Sequence, residues 1–252
     1  MPSFFLVAPA GGPQGFFMKT PLLCLTLIFL TSLAQAHYLW ITIDPKEGEH
    51  GSADLVFEGG IRPGDGKYID AFIARGKTWL RTVDKPKYRE LEMADTKRED
   101  LRWLQGALAE SGPRVLESYG RFGVWRYGET DVQLHYCAKH FDSAAAEVLS
   151  ELGRSKKLEL DIVPSWNGDE FQVQVLWRGE PAQGVSIRVR GGGKADLKTD
   201  DEGKAAFTPE SAGLFQIHTS VDESKSGKEP ADDKAFTVVR YHSTLTINLA
   251  KP

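Results

Sequence analysis

The sequence predicts a mainly β fold with two β-sandwich-type domains and one or two short helices, in the first domain and in the linker. Three observations predict this class. Short runs rich in Val, Ile, Leu and aromatic residues recur along the chain, and clusters of Gly, Pro and Asp separate them. Helical spacing interrupts these runs only briefly, so strands do not alternate with long helices. The second half carries strand patterns at regular intervals, which is typical of a sandwich.

Residues 1–36 carry the pattern of a signal peptide for export. Lys19 supplies a basic start, residues 22–33 form an apolar run, and Ala34 and Ala36 are the small residues that precede a cleavage site. The apolar run is too short to span a bilayer core of about 30 Å, and no second run of this kind follows it. We therefore expect a soluble protein, periplasmic or secreted, with no membrane span in its mature chain.

The mature chain is expected to begin at or near His37, because cleavage after Ala34 and cleavage after Ala36 both fit the pattern. Residues 1–17 precede Met18, a second start that lies directly before the basic residue of the signal. We interpret residues 1–17 as an over-extended start and place them outside the mature protein.

The composition is that of an ordinary globular protein. The 252 residues carry a net charge of −4, and 41% of them are hydrophobic. This slightly acidic balance gives no indication of a nucleic-acid or membrane-surface partner. Cys137 is the single cysteine outside the predicted signal, so stability is expected to come from packed apolar cores and not from an internal disulfide.

The first predicted domain spans residues 37–141. Thr96 and Glu99 form a capping box, and leucines follow at helical spacing over residues 101–108, so a helix is predicted there. Glycine residues in the later part of the domain allow bends in its strands. The remaining apolar runs predict strands at 38–43, 53–58, 68–74, 78–83, 115–127 and 132–140.

A domain boundary is predicted at residues 142–157, where a short polar helix leads into a linker. The second predicted domain spans residues 158–252. Seven short strand patterns with frequent turns indicate an immunoglobulin-like sandwich in this part of the chain. The predicted strands are 158–163, 171–177, 185–190, 205–208, 214–219, 235–240 and 244–249.

Three motifs of the second domain resemble a known module. Residues 177–185 (Trp-Arg-Gly-Glu-Pro-Ala-Gln-Gly-Val) predict a strand that leaves through a Gly-x-Pro turn. Residues 199–207 (Thr-Asp-Asp-Glu-Gly-Lys-Ala-Ala-Phe) predict a hairpin that returns an apolar strand to the core. Together with Gly-Leu-Phe at 213–215, they resemble the carboxypeptidase-regulatory-like or transthyretin-like module. This resemblance implies a fold and little about function, since unrelated exported proteins share the module.

Three segments of the first domain resemble a second family. They are Ala-His-Tyr-Leu-Trp-Ile at 36–41, Ser-Tyr-Gly-Arg-Phe-Gly-Val at 118–124 and Leu-His-Tyr-Cys-Ala-Lys-His at 134–140. These segments resemble an uncharacterised bacterial exported family that is labelled NikM-like, after a nickel-uptake transporter component. The resemblance implies periplasmic handling of nickel or cobalt, with a metal ion or an envelope transport component as the partner.

His37 is the sharpest candidate ligand, because cleavage of the signal places it at or near a free amine. Cleavage after Ala36 leaves the amine and the imidazole of His37 able to hold one metal ion together. Cleavage after Ala34 instead leaves an amine, two backbone nitrogens and the imidazole in series, which suits square-planar Cu(II) or Ni(II). The alternative is that His37 is only the solvated first residue of a strand.

His135 and His140 are the other predicted ligands. They are five residues apart on one strand, so they point to opposite faces of a straight strand, and either is expected to join His37 across the sheet. The predicted metal site therefore consists of His37, His135 and His140, with Ni, Co or Cu as the ion. The alternative is a buried His135 and an exposed His140 without a metal. His218 and His242 are predicted to be half-buried strand residues.

The sequence predicts no enzyme of a common class and no organic cofactor, since it lacks the Gly-x-Ser-x-Gly, His-Glu-x-x-His, phosphate-loop and dinucleotide motifs. The leading hypothesis is an exported metal-binding protein whose site is anchored on His37. One alternative is a non-catalytic structural or adhesion module of the cell envelope. A copper-dependent oxidative enzyme is a minor alternative, because it needs a second histidine beside the terminal one.

Overall fold

The computed structural model describes residues 37–250, so the predicted signal peptide lies outside the described residues. The chain is mainly β, as predicted. No helix among the described residues is long and apolar enough to cross a membrane. The strands are β1 (Tyr38–Asp44), β2 (Ser52–Glu58), β3 (Lys77–Thr82), β4 (Arg89–Leu91), β5 (Ala94–Arg98), β6 (Leu101–Ala107), β7 (Arg114–Tyr127), β8 (Thr130–Phe141), β9 (Leu160–Asn167), β10 (Glu170–Trp177), β11 (Glu180–Pro181), β12 (Ser186–Arg190), β13 (Ala195–Lys198), β14 (Lys204–Phe207), β15 (Gly213–Lys228) and β16 (Ala235–Leu249). The helices are α1 (Asp70–Arg75) and α2 (Ala146–Leu152).

These strands form three sheets. A four-stranded sheet has the order β1-β2-β6-β5, and a second small sheet has the order β11-β10-β14 with β9 also paired to β10. The third sheet has eight strands in the order β13-β12-β15-β16-β8-β7-β3-β4. Its strands pair antiparallel except β8 and β16, which run parallel from Val132 to Phe141.

The eight-stranded sheet is apolar on both faces, because side chains alternate along each strand. Leu116 and Leu134 face one core, which the β1-β2-β6-β5 sheet covers. Val115 and Cys137, on the same two strands, face the other core, which β9, β10 and α2 cover. Two apolar cores thus share one sheet, so each half of the molecule depends on the strands of the other.

The predicted boundary at residues 142–157 does not separate two units. The described residues 37–250 form one compact unit, and the parallel pairing of β8 with β16 joins the predicted domains 37–141 and 158–252 in one sheet. A parallel pair links strands that are distant in sequence, so the local pattern on which the boundary was predicted contains no trace of it. The segment 142–157 itself includes α2, whose apolar side is buried.

Buried charges hold the end of this segment in place. The side chain of Arg81 donates to the carbonyl of Leu152 (2.7 Å) and also pairs with Glu117, which is buried. Glu117 in turn accepts from the hydroxyl of Ser155 (2.7 Å). Lys139 donates to the carbonyl of Gly153 (2.7 Å). Each of these contacts satisfies a polar group that folding removes from water, so the segment is a fixed part of the core.

Two predicted elements of the first half are wrong. The predicted helix at 101–108 is strand β6, which forms a hairpin with β5 and pairs with β2. Its leucine spacing fits a helix, but Trp103 and Leu104 are both buried because they pack on opposite faces of a strand. The predicted strand at 68–74 contains helix α1. There Ile69 and Phe72 are the buried residues, and their separation of three positions is that of one helical face.

The strands of the second half agree with the predictions in position but differ in length. The predicted strands 235–240 and 244–249 are both parts of β16, and β15 continues well beyond the predicted 214–219. Strand β13 was missed because it is short and carries only one large apolar residue, Leu197. Each of the two long strands carries a histidine, His218 on β15 and His242 on β16.

Candidate metal centre

His37 directly precedes β1 and lies beside a carboxylate. Its Nε2 is 3.4 Å from Oε2 of Glu58, which is the cross-strand neighbour of Tyr38 at the end of β2. The rings of Phe57 and Tyr68 flank the imidazole, with centroids 6.0 Å and 5.7 Å away. The His37 side chain is 37% exposed, and that of Glu58 is 17% exposed. The imidazole is therefore accessible from solvent, and the carboxylate beside it is mostly buried.

His135 is committed to hydrogen bonds inside the protein. Nε2 lies 3.2 Å from Oε1 of Gln133, whose own amide nitrogen donates to Glu229 (2.9 Å). Nδ1 lies 2.7 Å from the hydroxyl of Tyr119. Burial lowers the pKa of His135 to about 4, so the ring is neutral at pH 7. A neutral ring that donates from Nε2 to the Gln133 oxygen accepts at Nδ1 from Tyr119, which leaves no nitrogen for a metal.

His140 is buried, not exposed, and its Nδ1 is engaged in a hydrogen bond. Its Nδ1 lies 2.8 Å from Oγ1 of Thr246, and that hydroxyl donates to the carbonyl of Ile41 (2.6 Å). The hydroxyl hydrogen is thus used, so His140 donates from Nδ1. Burial lowers the pKa of His140 to about 4. His135 and His140 lie on opposite faces of β8, as their spacing predicts.

The structure therefore does not bring His37, His135 and His140 together. Within residues 37–250, no group of three or more His, Cys, Asp or Glu side chains is arranged to hold a metal ion. Cys137, which shares a face with His135, is fully buried, and burial raises the pKa of its thiol to about 12. Of the three predicted ligands, His37 alone keeps an exposed imidazole beside an acidic partner.

The buried histidines predict a loss of stability in acid. His135 and His140 have pKa values of about 4 in the folded protein, below the usual 6.5 that the unfolded chain retains. Between these two values the unfolded chain binds more protons, so stability is complete above pH 6.5 and falls as the pH drops toward 4. Each buried ring is expected to contribute a loss on the order of 3 kcal/mol.

Urea unfolding at pH 7.5 and at pH 4.5 measures this effect. The variant His140→Asn keeps a donor for Thr246 but has no titrating ring. We expect the urea concentration at the unfolding midpoint to fall less between pH 7.5 and pH 4.5 in His140→Asn than in the wild type. An equal fall in both proteins contradicts the assignment of His140 as an acid-sensitive group.

A pair of histidines that the sequence analysis placed among ordinary strand residues forms a distinct cluster. His218 on β15 and His242 on β16 are diagonal neighbours across these paired strands, and Nε2 of His218 is 3.1 Å from Nδ1 of His242. The ring of Tyr38 lies 3.9 Å from that of His218, and Tyr136 stacks on His242 at 4.9 Å. The sequence predicted only that each of these histidines is a half-buried strand residue and contained no signal that they meet.

Both imidazoles of this pair are neutral. Burial lowers the pKa of His242 to about 3. The pKa of His218 is lower still, because His218 is buried and lies beside His242. His242 is buried, whereas His218 is half-buried and lines a surface groove of about 380 Å³ with Ser220 and Arg188. One side of the pair therefore faces solvent.

Comparison with known proteins identifies one family. A family model described as a domain of unknown function, DUF4198, matches residues 34–223. No curated protein matches the chain. Among solved structures, the chain is similar to the crystal structure of chicken CNTN1 FN1-FN3 domains at 9% sequence identity, with a TM-score of 0.22, over 85% of this chain and 66% of that chain. The match to the family model therefore carries the classification.

Proposed function

The chain belongs to the DUF4198 family, and from that premise we propose that it is an exported metal-binding protein of the NikM-like kind. In this proposal, a signal peptide is removed near Ala36 and the mature protein acts in the periplasm or outside the cell. His37 anchors a site for Ni, Co or Cu, and an envelope transport component receives the metal. The supporting observation is the contact of 3.4 Å between the His37 imidazole and the Glu58 carboxylate.

The donor set at this position suits those metals. Cleavage before His37 frees its amine, so the amine and Nδ1 of the imidazole supply two nitrogens, while Glu58 lies beside Nε2 and orients the ring as an outer-shell partner. Nitrogen donors favour Ni and Cu among the divalent ions, and a carboxylate completes the charge balance. Gly64 leaves room for this carboxylate, because a Cβ at position 64 would collide with the Glu58 side chain.

The strand behind His37 is held rigidly, which a preorganised site requires. β1 pairs with β2 along its whole length. On its other side, the hydroxyls of Thr244 and Thr246 donate to the carbonyls of Leu39 and Ile41, both at 2.6 Å. The first residue of the strand is therefore positioned by the eight-stranded sheet as well as by its own sheet.

Calorimetric titration with Ni(II), Co(II) and Cu(II), each alone, tests the proposal. The protein is prepared with His37 as its first residue, with Gln35 as its first residue, and with His37 first but acetylated. Acetylation removes the charge and the lone pair of the amine. We expect the acetylated form to bind at least about 100-fold more weakly than the free form, since the chelate is lost.

Glu58→Gln is the matched side-chain test. It keeps the size of the side chain and removes the negative charge, so we expect about tenfold weaker binding. His50→Ala is the control, because His50 also lies beside a glutamate, Glu49, at 3.8 Å on the surface. Equal affinities of the acetylated and free forms contradict the proposal. Intact mass of the protein recovered from the periplasm or the medium tests export and the position of cleavage.

A structural or adhesion role is the second candidate, and two exposed aromatic residues favour it. Trp125 and Tyr127 on β7 are 44% and 43% exposed. Trp125 lines a groove of about 460 Å³ together with Arg126, Asp131 and Lys234. Aromatic rings beside charged groups are common at binding surfaces. This role predicts equal metal affinities of the free and acetylated forms in the titration above, and binding of the protein to surface glycans or envelope proteins.

A further inference from the structure

We infer that His218 and His242 form a second metal site, independent of His37, which binds a divalent ion such as Cu(II), Ni(II) or Zn(II) through two imidazole nitrogens. This site does not depend on where the chain is cleaved, because both ligands lie on the paired strands β15 and β16. It is thus separate from the proposed function and can stand if that function fails.

The spacing of the two nitrogens fits a shared ion. Nε2 of His218 and Nδ1 of His242 are 3.1 Å apart. Metal–imidazole bonds are about 2.0–2.1 Å long, so an ion bonded to both nitrogens makes an angle of about 98° between them. This N–metal–N angle lies between the 90° of a square-planar centre and the 109° of a tetrahedral one, and it differs from each by no more than about 11°. The two rings are therefore already spaced as neighbouring ligands.

The protonation state of the pair also suits metal binding, since a metal binds only neutral imidazole. In the free protein the two facing nitrogens share one hydrogen, because two neutral rings at 3.1 Å make a single N–H···N bond. When an ion enters, that hydrogen moves to the far nitrogen of the same ring. Each ring then remains neutral and presents a lone pair to the ion.

The surroundings hold both rings and leave one side open. Tyr136 stacks on His242 with an angle of 17° between the planes, and Tyr38 lies against both histidines. Such packing fixes ring orientation in the way that outer-shell partners do at known metal sites. His218 opens into the groove of about 380 Å³, where water can supply the remaining ligands.

Arg188 opposes a cation at this site. It is the cross-strand neighbour of His218 on β12, and its charge is one of the causes that lower the pKa of His218. Asp196 lies 3.8 Å from Arg188 and offsets part of this charge. The opposing charges of Arg188 and Asp196 predict a moderate affinity for a metal ion. Removal of the Arg188 charge is expected to raise that affinity.

The experiment uses the acetylated form that begins with His37, in which the first site is blocked. Cu(II), Ni(II) and Zn(II) are titrated separately into the wild type and into His218→Asn, which changes the more exposed histidine. We expect at least a tenfold loss of affinity in His218→Asn and no change in His50→Ala. Arg188→Gln is expected to bind about threefold more tightly, because a nearby positive charge is removed.

Two further measurements separate loss of the site from loss of the fold. Thermal unfolding shows whether His218→Asn remains folded at the titration temperature. Electron paramagnetic resonance of the Cu(II) form is expected to show coupling to imidazole nitrogens in the wild type and a changed spectrum in His218→Asn. Binding that is equal in wild type and His218→Asn, or a Cu(II) spectrum that is the same in both, overturns the inference. Failure of the His37 site alone leaves these results unaffected.

Discussion

Asp161→Ala is expected to destabilise the protein by about 3–5 kcal/mol, because it leaves the ammonium group of Lys139 buried without a counter-charge. Lys139 and Asp161 form an ion pair in which both side chains are almost fully buried, at 1% and 3% exposure. Lys139 also donates to the carbonyls of Gly153 (2.7 Å) and Ile162 (3.2 Å).

The ion pair also holds the segment between α2 and β9 in place. Asp161 accepts from the backbone nitrogen of Ser155 (2.7 Å), so its removal leaves that donor without its partner. An isolated buried charge cannot be solvated, and an unpaired buried donor adds a further cost. The loss of stability in Asp161→Ala should therefore be several times larger than the loss caused by breaking a surface ion pair.

Urea unfolding measures this difference directly. Glu90→Gln is the matched control, since Lys77 and Glu90 form a pair at 3.2 Å with both side chains more than half exposed. Its expected cost is less than about 1 kcal/mol. The double variant Lys139→Met with Asp161→Ala should be less destabilised than the sum of the two single variants, because no uncompensated charge remains. A cost for Asp161→Ala similar to that of Glu90→Gln contradicts the role assigned to the pair.

Phe171→Ala and Phe72→Ala are each expected to lower the stability of the whole chain by about 3–5 kcal/mol in a single transition. Phe171 is fully buried in the core beneath β9 and β10. Phe72, on α1, is buried in the other core, with its ring 4.9 Å from that of Phe57 and 5.8 Å from that of Tyr136. Both cores share the central sheet, so a cavity in either weakens the same cooperative unit.

Differential scanning calorimetry of both variants tests this cooperativity. We expect one peak in the wild type and one peak, shifted to lower temperature, in each variant. Two separate domains at 37–141 and 158–252 would instead give two peaks, of which each variant shifts only one. Ile73→Ala serves as the control, because Ile73 lies on the same helix as Phe72 but is 44% exposed. We expect only a small decrease in the unfolding temperature of Ile73→Ala.

The comparison of predicted and observed elements shows where local patterns suffice. β1, β2, β3, β7 and β8 lie at the predicted positions, because alternating apolar residues mark strands with one or two buried faces. The error at residues 101–108 has a physical cause: Leu104 and Leu108 are buried at an even spacing that one face of an extended chain also provides, whereas Leu101 is 42% exposed. Pairing with β2 decided the outcome there.

The candidate site residues also differ in how far local sequence patterns identify them. The sequence identified His37 because the signal pattern points to the residue that follows it. His135 and His140 were identified by residue type, whereas two of their hydrogen-bond partners, Tyr119 and Thr246, are supplied by other strands. A residue type shows which chemistry is available, whereas its partners decide whether a nitrogen remains free.

The mainly β class and most strand positions follow from the sequence alone, because they depend on neighbouring residues in the chain, and the same local pattern predicts export and a role for His37. Only the tertiary structure decided that 37–141 and 158–250 share one sheet, and that His218 meets His242. The physical reason is that the parallel pairing of β8 with β16 and the diagonal contact across β15 and β16 join residues far apart in sequence. Such contacts are selected by burial and hydrogen bonding of the whole chain, which no local pattern contains.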